Sequence, residues 1–368
     1  MLFRGHLRKT CIHCRRSYRL SHTCYGVSRR SRISSPEGDT TFETIRWLDF
    51  GGPPDTRQII DLRPALDAND VHRFSISLRL KGSVFESIGV LCQFLSGNEL
   101  PQDVLAPLHL SQANNYMYLF AFDEAHKEIQ QWKPPANLLE SQENLLWDQL
   151  ICVGRVLKGS GDFQAAQRVL QVCCETPGLP NHKRALAISM LADTLCELWA
   201  IKKEIYCLEM ANSWVEFELS LFTKPRNPLH RGLRRLLLSH LEVKICLGRR
   251  SEAINVAQEL VTIYGQLDEL DINDRLGHVR TLIALARLAR PSEDSLQRWE
   301  EVLRQNHLYN PNEEEVYTCG IVYSILAKIC RDPNRSLQYA HKADQVLRCK
   351  QRQFLIPGIG TYISDTSY

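Results

Sequence analysis

No stretch of the chain is apolar enough to cross a bilayer. The longest run without a charged residue, residues 104–122, carries Pro107, Gln112, Asn114 and Asn115, and burying those amides in lipid costs more than a spanning helix recovers. The signatures that usually announce chemistry are also missing. There is no His-Glu-x-x-His pair to hold zinc and no Gly-x-Ser-x-Gly elbow to expose a nucleophile, so no enzyme activity and no cofactor are expected. Acid is absent from one end: residues 1–36 hold nine Lys and Arg, and the first acidic residue is Glu37. The rest holds 36 basic and 42 acidic residues, so the net +3 divides into a +9 leader and a −6 body. An acidic body without interleaved basic and aromatic residues does not favour nucleic acid as a partner.

What is present is a globular balance over 368 residues, with 44% hydrophobic, 24% charged and 8% aromatic residues, which excludes collagen, low-complexity disorder and a disulfide mini-protein. The thirteen cysteines are odd in number and irregularly spaced. Cys92, Cys152, Cys196, Cys207, Cys246 and Cys330 stand singly among apolar residues, where a free thiol packs as a small hydrophobe, and a reducing compartment follows. The leader lacks the apolar stretch of a secretory signal. It is Arg-rich, Ser-rich and acid-free, and a helix over residues 2–9 would set Leu2, Phe3 and Leu7 against Arg4 and Arg8, as mitochondrial presequences do. A cytoplasmic protein is the expectation and a mitochondrial one the alternative. Cys11, Cys14, His22 and Cys24 are zinc-ligand types. The half-site His22-x-Cys24 is unusually tight, however, and the fungal binuclear cluster that Cys11-x2-Cys14-Arg15-Arg16 is similar to needs six cysteines where three precede Cys92. A flexible leader over residues 1–40 is the reading kept, and no metal is expected.

Hydrophobic periodicity organises the body. Leu146, Leu150, Val153 and Leu157 make one helical face; Gly159-Ser160-Gly161-Asp162 breaks it; Phe163, Ala166, Leu170 and Cys173 make a second face that ends near Pro177. This unit resembles a tetratricopeptide repeat (TPR), a helix–turn–helix of 34 residues. Gly154 stands at the small position of the first helix, Gly161-Asp162-Phe163 at the turn, and Ala166 where the second helix packs close. Ala113, Tyr116, Phe122, Ala125 and Ile129 repeat the pattern upstream of Pro134-Pro135. Downstream come a copy with Trp199 at the turn position (Leu191, Ala192, Leu195, Ile201, Leu208, Ala211), then Leu241, Ile245, Gly248, Ala253, Ala257 and Leu260. Two more follow: Ile283 and Ala286 to Leu296, Trp299 and Val302 across Pro291-Ser292, and Ile321, Ile325 and Ala327 to Leu337, Ala340 and Ala343 across Asp332-Pro333-Asn334. The six units start near 106, 147, 185, 234, 276 and 317, at intervals of 41, 38, 49, 42 and 41, the longest holding the loop residues 222–228. The predicted fold is an all-α solenoid of about six TPR-like hairpins over residues 101–350, with an N-terminal cap at 41–100 and a tail at 351–368. In the cap, residues 67–81 fit either a helix (Val71, Phe74, Leu78) or an alternating strand (Phe74, Ile76, Leu78, Leu80); a further hairpin is favoured. The chain also resembles repeat proteins of filamentous fungi.

Three further clusters have plain readings. Residues 154–160 are similar to a phosphate loop but lack its lysine and overlap the best turn. Acidic residues 268–274 lack the central Gly and distal Glu of a calcium loop and read as a solvated link. Arg231, Arg234 and Arg235 form a basic stripe, read as a solvated face. The resemblance implies a concave groove lined by first helices, with candidate binding residues Asn114, Tyr118, Arg155, Lys158, Asp193, Glu197, Arg235, Glu242, Arg280 and Arg287. Their mixed signs point to a protein or peptide partner other than a polyanion. Leu110, Cys152, Leu186 and Met190 stand where chaperone-clamping TPR proteins carry polar residues. The expected function is a non-enzymatic scaffold or adaptor that holds a protein partner by its groove. The alternatives are an accessory protein of a fungal secondary-metabolite biosynthetic pathway, holding a cryptic catalytic pocket, and a mitochondrial helical-repeat RNA-associated factor.

Overall fold

The structure is a computed structural model, and it describes residues 67–97, 99–134, 140–176, 178–222, 230–267, 269–288, 293–306 and 313–347, all within the unit Gln58–Tyr368. Among the described residues there are fourteen helices, paired as seven antiparallel hairpins. Helix α1 (Ala68–Lys81) pairs with α2 (Val84–Gly97), α3 (Gln102–Tyr118) with α4 (Phe122–Ile129), α5 (Glu140–Ser160) with α6 (Phe163–Glu175), and α7 (Asn181–Lys202) with α8 (Ile205–Ser220). Helix α9 (Arg231–Cys246) pairs with α10 (Arg250–Gly265), α11 (Ile272–Leu288) with α12 (Glu293–Asn306), and α13 (Glu313–Ile329) with α14 (Pro333–Leu347). The chain is thus an all-α solenoid.

The ambiguous residues 67–81 are helical for a legible reason. The Asp67 carboxylate accepts from the Asp70 amide at 2.8 Å and caps the first turn, and the buried set Val71, Phe74, Ser75 and Leu78 follows helical spacing. The α5–α6 turn forms as its residues dictate. Gly161 takes φ 84°, which only glycine adopts without strain, and Asp162 accepts from the Ala165 amide at 3.1 Å. Phe163, Ala166, Leu170 and Cys173 are all buried. In α14, Asp332 caps in the same way, accepting from Asn334 and Arg335 amides.

Other expectations are corrected. On α5 the face Leu146, Leu150, Val153 and Leu157 is only half-buried, whereas Gln149, Ile151, Cys152 and Val156 are fully buried. The helix is packed by α3, α4, α6 and α7 together, so it buries more than one stripe. Trp199 is not a turn: α7 continues to Lys202, and Lys203 makes the turn at φ 60°. Leu337 is 71% exposed and Ala340 is exposed, because α14 packs on α13 and no later described helix covers it. Cys92 is exposed, and Cys246 and Cys330 are half-buried; Cys152, Cys196 and Cys207 are buried as expected, and burial lifts the Cys152 thiol to about 12. The leader with Cys11, Cys14, His22 and Cys24, residues 41–66, the loop 223–229, Pro135, Pro177, Asp268, Pro291-Ser292 and the tail 351–368 lie outside the described residues.

One feature was not expected from the pattern. Helix α11 returns to α1 and touches the end of α3. The Tyr118 hydroxyl donates to Asn273 Oδ1 at 2.7 Å across 155 positions of sequence, and Val84, Tyr118, Ile272 and Leu276 close over one another as an apolar cluster. Phe120, held in the left-handed region at φ 57°, packs against both the α3–α5 core and the α11–α13 core. The first helices α3, α5, α7, α9 and α11 therefore surround a common interior.

Gly154 tests the hairpin packing. A Cβ there would lie 2.6 Å from Leu170 Cδ2, inside contact distance, so Gly154→Val is expected to cost about 1–3 kcal/mol by overpacking. Gly89 is mid-helix in α2 with open space around it, so Gly89→Ala is expected to gain up to about 1 kcal/mol. Urea denaturation followed by circular dichroism reads both.

Candidate functional site

The interior is a cavity of about 70 Å³ to which each of the five first helices contributes. Tyr118 and Met117 come from α3, Arg155 and Lys158 from α5, Met190 from α7, Arg235 from α9, and Asn273 and Arg280 from α11. These side chains converge because helix residues three, four or seven apart share a face, and the face toward the interior carries charge where the opposite faces carry Leu, Ile and Ala.

The ten predicted binding residues fall into two layers of this interior. The first holds Asn114, Tyr118, Arg155, Lys158, Asp193, Arg235 and Arg280. Arg155 donates to Asn114 Oδ1 at 2.8 Å and lies 5.0 Å over the Tyr118 ring. Asp193 is 1% exposed; its Oδ1 accepts from the Ser239 hydroxyl at 2.8 Å, and its Oδ2 stands 3.4 Å from Lys158 Nζ and 3.6 Å from Arg280 Nη2. The second layer holds Glu197, Glu242 and Arg287. Glu242 and Arg287 follow Arg235 and Arg280 by seven residues, two helical turns or roughly 10 Å along the axis. Arg287 Nη1 donates to both carboxylate oxygens of Glu242, at 2.9 and 2.8 Å. Glu197 is 2% exposed, and its Oε1 has no hydrogen-bond partner among the described residues. The expected open groove is therefore an interior in the described residues, where Asp193, Glu197 and Glu242 are buried.

Burial and neighbours set the protonation states. Burial pushes the Glu197 carboxyl up to about 8, the Glu242 and Asp193 charges adding to the effect and Lys158 and Arg280 opposing it. It is mostly neutral at pH 7. Burial alone would also raise Asp193, but Lys158, Arg280, Arg235 and the Ser239 hydroxyl outweigh it and hold the carboxyl below its ordinary value. Burial lowers Lys158, with Asp193 countering and Arg280 and Arg235 reinforcing. Burial likewise lowers Arg235, yet a guanidinium stays charged.

Two sequence clusters meet here in a way neither suggested alone. Arg234 makes a two-point pair with Asp274 at 2.8 and 3.0 Å, and Arg231 reaches Asp271 at 2.8 Å, so the basic stripe and the acidic link bind each other. Asp271 also caps α11, accepting from the Asn273 and Asp274 amides. The third member of the stripe, Arg235, turns into the cavity. Sequence reasoning missed Arg79, which donates to the Ser111 carbonyl, the Ser111 hydroxyl and Asn115 Oδ1 at 2.9–3.1 Å beside the chamber. The available signal was Ser75, Ser87, Ser111 and Asn115, polar residues at core-facing positions. Among the described residues no group of three or more His, Cys, Asp and Glu is placed to hold a metal, and no helix is long and apolar enough to cross a membrane.

No protein-family model matches the chain, and no curated protein matches it. Among solved structures, the C-terminal part of a TPR repeat-containing protein from Cytophaga hutchinsonii is similar, at 12% identity and a TM-score of 0.33, over 76% of this chain and 100% of that one. The hairpins themselves decide the class. The chain is an all-α solenoid of helical hairpins.

Glu197 gives a pH test. Its folded carboxyl titrates near 8 against an ordinary 4.5, so between those values the folded state holds more protons than the unfolded one. Stability is full below about 4.5 and is lost as pH rises through 8, by at most about 1.4 kcal/mol per pH unit for one group. Glu197→Gln is expected to remove this slope, so that denaturant midpoints between pH 5 and 8 become flatter than in the wild type.

Proposed function

We propose that the chain is a non-enzymatic helical-repeat adaptor that holds a protein partner on the outer face of α8. The observation that carries this reading is an apolar stripe along that helix. Tyr206, Phe217 and Leu221 are 51%, 59% and 50% exposed, with half-buried Met210 and Trp214 between them. The five follow i, i+4, i+8, i+11 and i+15, one face of a helix some 22 Å long at 1.5 Å per residue. Exposed apolar surface of this kind marks an interaction site more often than it decorates a free surface. Exposed Glu209 flanks the stripe, and Glu216 beside it is paired with Lys244 at 2.8 Å. The complementary partner is an amphipathic helix with apolar anchors at matching spacing and Lys or Arg beside them.

The inner surface is the less suitable place for a peptide, because its charged residues already face one another within a cavity of about 70 Å³. The reading is tested by affinity purification and mass spectrometry with the wild type and with the pair Tyr206→Asp and Phe217→Asp. Both positions are exposed, so the variant is expected to melt as the wild type does while losing the proteins that the wild type retains reproducibly. Equal recovery by the two chains, or no reproducible partner for the wild type, would contradict the proposal.

A further inference from the structure

The chamber is built with more positive than negative charge. Arg155, Lys158, Arg235 and Arg280 line it, and no Asp or Glu does. Asp193 stands behind Lys158 and Arg280, and its contacts with them, 3.4 and 3.6 Å, are long for charge-assisted hydrogen bonds, which close to about 2.7–2.9 Å. The same fold makes tight pairs nearby: Arg287 with Glu242 at 2.8 Å, and Arg234 with Asp274 at 2.8 Å. Arg235 makes no hydrogen bond and no ion pair among the described residues. Like charges gathered in a half-buried cavity repel one another, so four cations around one carboxylate leave a surplus of positive charge that an anion would offset.

We infer that this chamber binds a phosphoryl group, as free phosphate or as the phosphate of a small ester. The four cations come from three helices, α5, α9 and α11, and so surround the cavity as they would surround a tetrahedral oxyanion. Guanidinium forks suit phosphate oxygens, and Asn273, whose Oδ1 accepts from Tyr118, keeps its amide nitrogen as a further donor. A volume of about 70 Å³ has room for one phosphoryl group with a short ester. Met117, Phe120, Met190, Leu238 and Leu276 complete the wall and limit what can follow the phosphate inward. The bound anion would join α5 and α9 to α11, so occupancy would favour the closed arrangement over an opened one. This inference is independent of the α8 stripe, and the two are tested on different residues and by different measurements.

The test uses the full purified chain. Thermal melts are recorded with inorganic phosphate, glycerol 3-phosphate, acetate or chloride at one ionic strength, and equilibrium dialysis with radiolabelled phosphate counts sites. The expected result is a saturable rise in Tm with either phosphate, none with acetate or chloride, and one site per chain. A larger rise with glycerol 3-phosphate would mark an ester as the occupant, and an equal or smaller one free phosphate. Arg235→Met is expected to weaken binding about tenfold or more, the loss of a charge-assisted bond. It should also raise the Tm of the unliganded chain, because it relieves repulsion, whereas Arg168→Met on the exposed face of α6 should change neither. If Arg235→Met does not fold, Lys158→Met serves in its place. No saturable binding to the wild type, equal response to acetate, or full phosphate response in the variant that folds would each overturn the inference.

Discussion

The return of α11 to α3 is the constraint on which the interior depends. A hydrogen bond from Tyr118 to Asn273, the cluster of Val84, Ile272 and Leu276 around the Tyr118 ring, and the Phe120 side chain close the course of first helices. Each buried aliphatic side chain in such a contact contributes about 1.5–3 kcal/mol of transfer free energy, while the loop between its ends adds only slowly growing entropy. The left-handed Phe120 is consistent with that balance. A non-glycine residue at positive φ is held at a cost of about 1–3 kcal/mol, and the packing on both sides is what offsets it.

Closure changes the meaning of the charges inside. On an open groove, Arg155, Lys158, Asp193 and Arg235 would be solvated, screened and worth little as pairs. Enclosed, they interact strongly, so the neutral Glu197, the ionised Asp193 and the crowded cations become properties of one coupled cluster. The second layer shows the settled alternative, where Glu242 and Arg287 satisfy each other. The two layers thus differ: one holds the Glu242–Arg287 pair beside the unpartnered Glu197 Oε1, and the other a surplus of cations. That surplus is the observation on which the phosphoryl-site inference rests.

The hairpins were legible because local signals carry them: glycine or aspartate at turns, small residues such as Gly154 and Ala166 at close crossings, and apolar residues on helical spacing. The signals failed where packing is not local. Trp199 lies inside α7 because the helix continues one more turn before Lys203 can reverse the chain, and no residue at 199 announces that. The burial of Gln149, Ile151, Cys152 and Val156 on α5 follows from four neighbouring helices, which a periodicity reading of one helix does not contain. The ten candidate residues sit on the first helices, and whether that face is open or closed is decided by a contact across 155 residues of sequence. Arg231 and Asp271, each read as solvated, answer each other across two helices for the same reason.

The central claim is that Tyr118 and Asn273 touch in the folded chain, and a double-mutant cycle tests it directly. Tyr118→Phe keeps the ring under Arg155 and removes the hydroxyl, and Asn273→Ala removes its acceptor. Urea unfolding of the two single variants and the double variant should give a coupling of about 0.5–1.5 kcal/mol, the worth of a shared hydrogen bond. Additivity within about 0.3 kcal/mol would mean that the two residues do not meet, and the closed interior would fall with them.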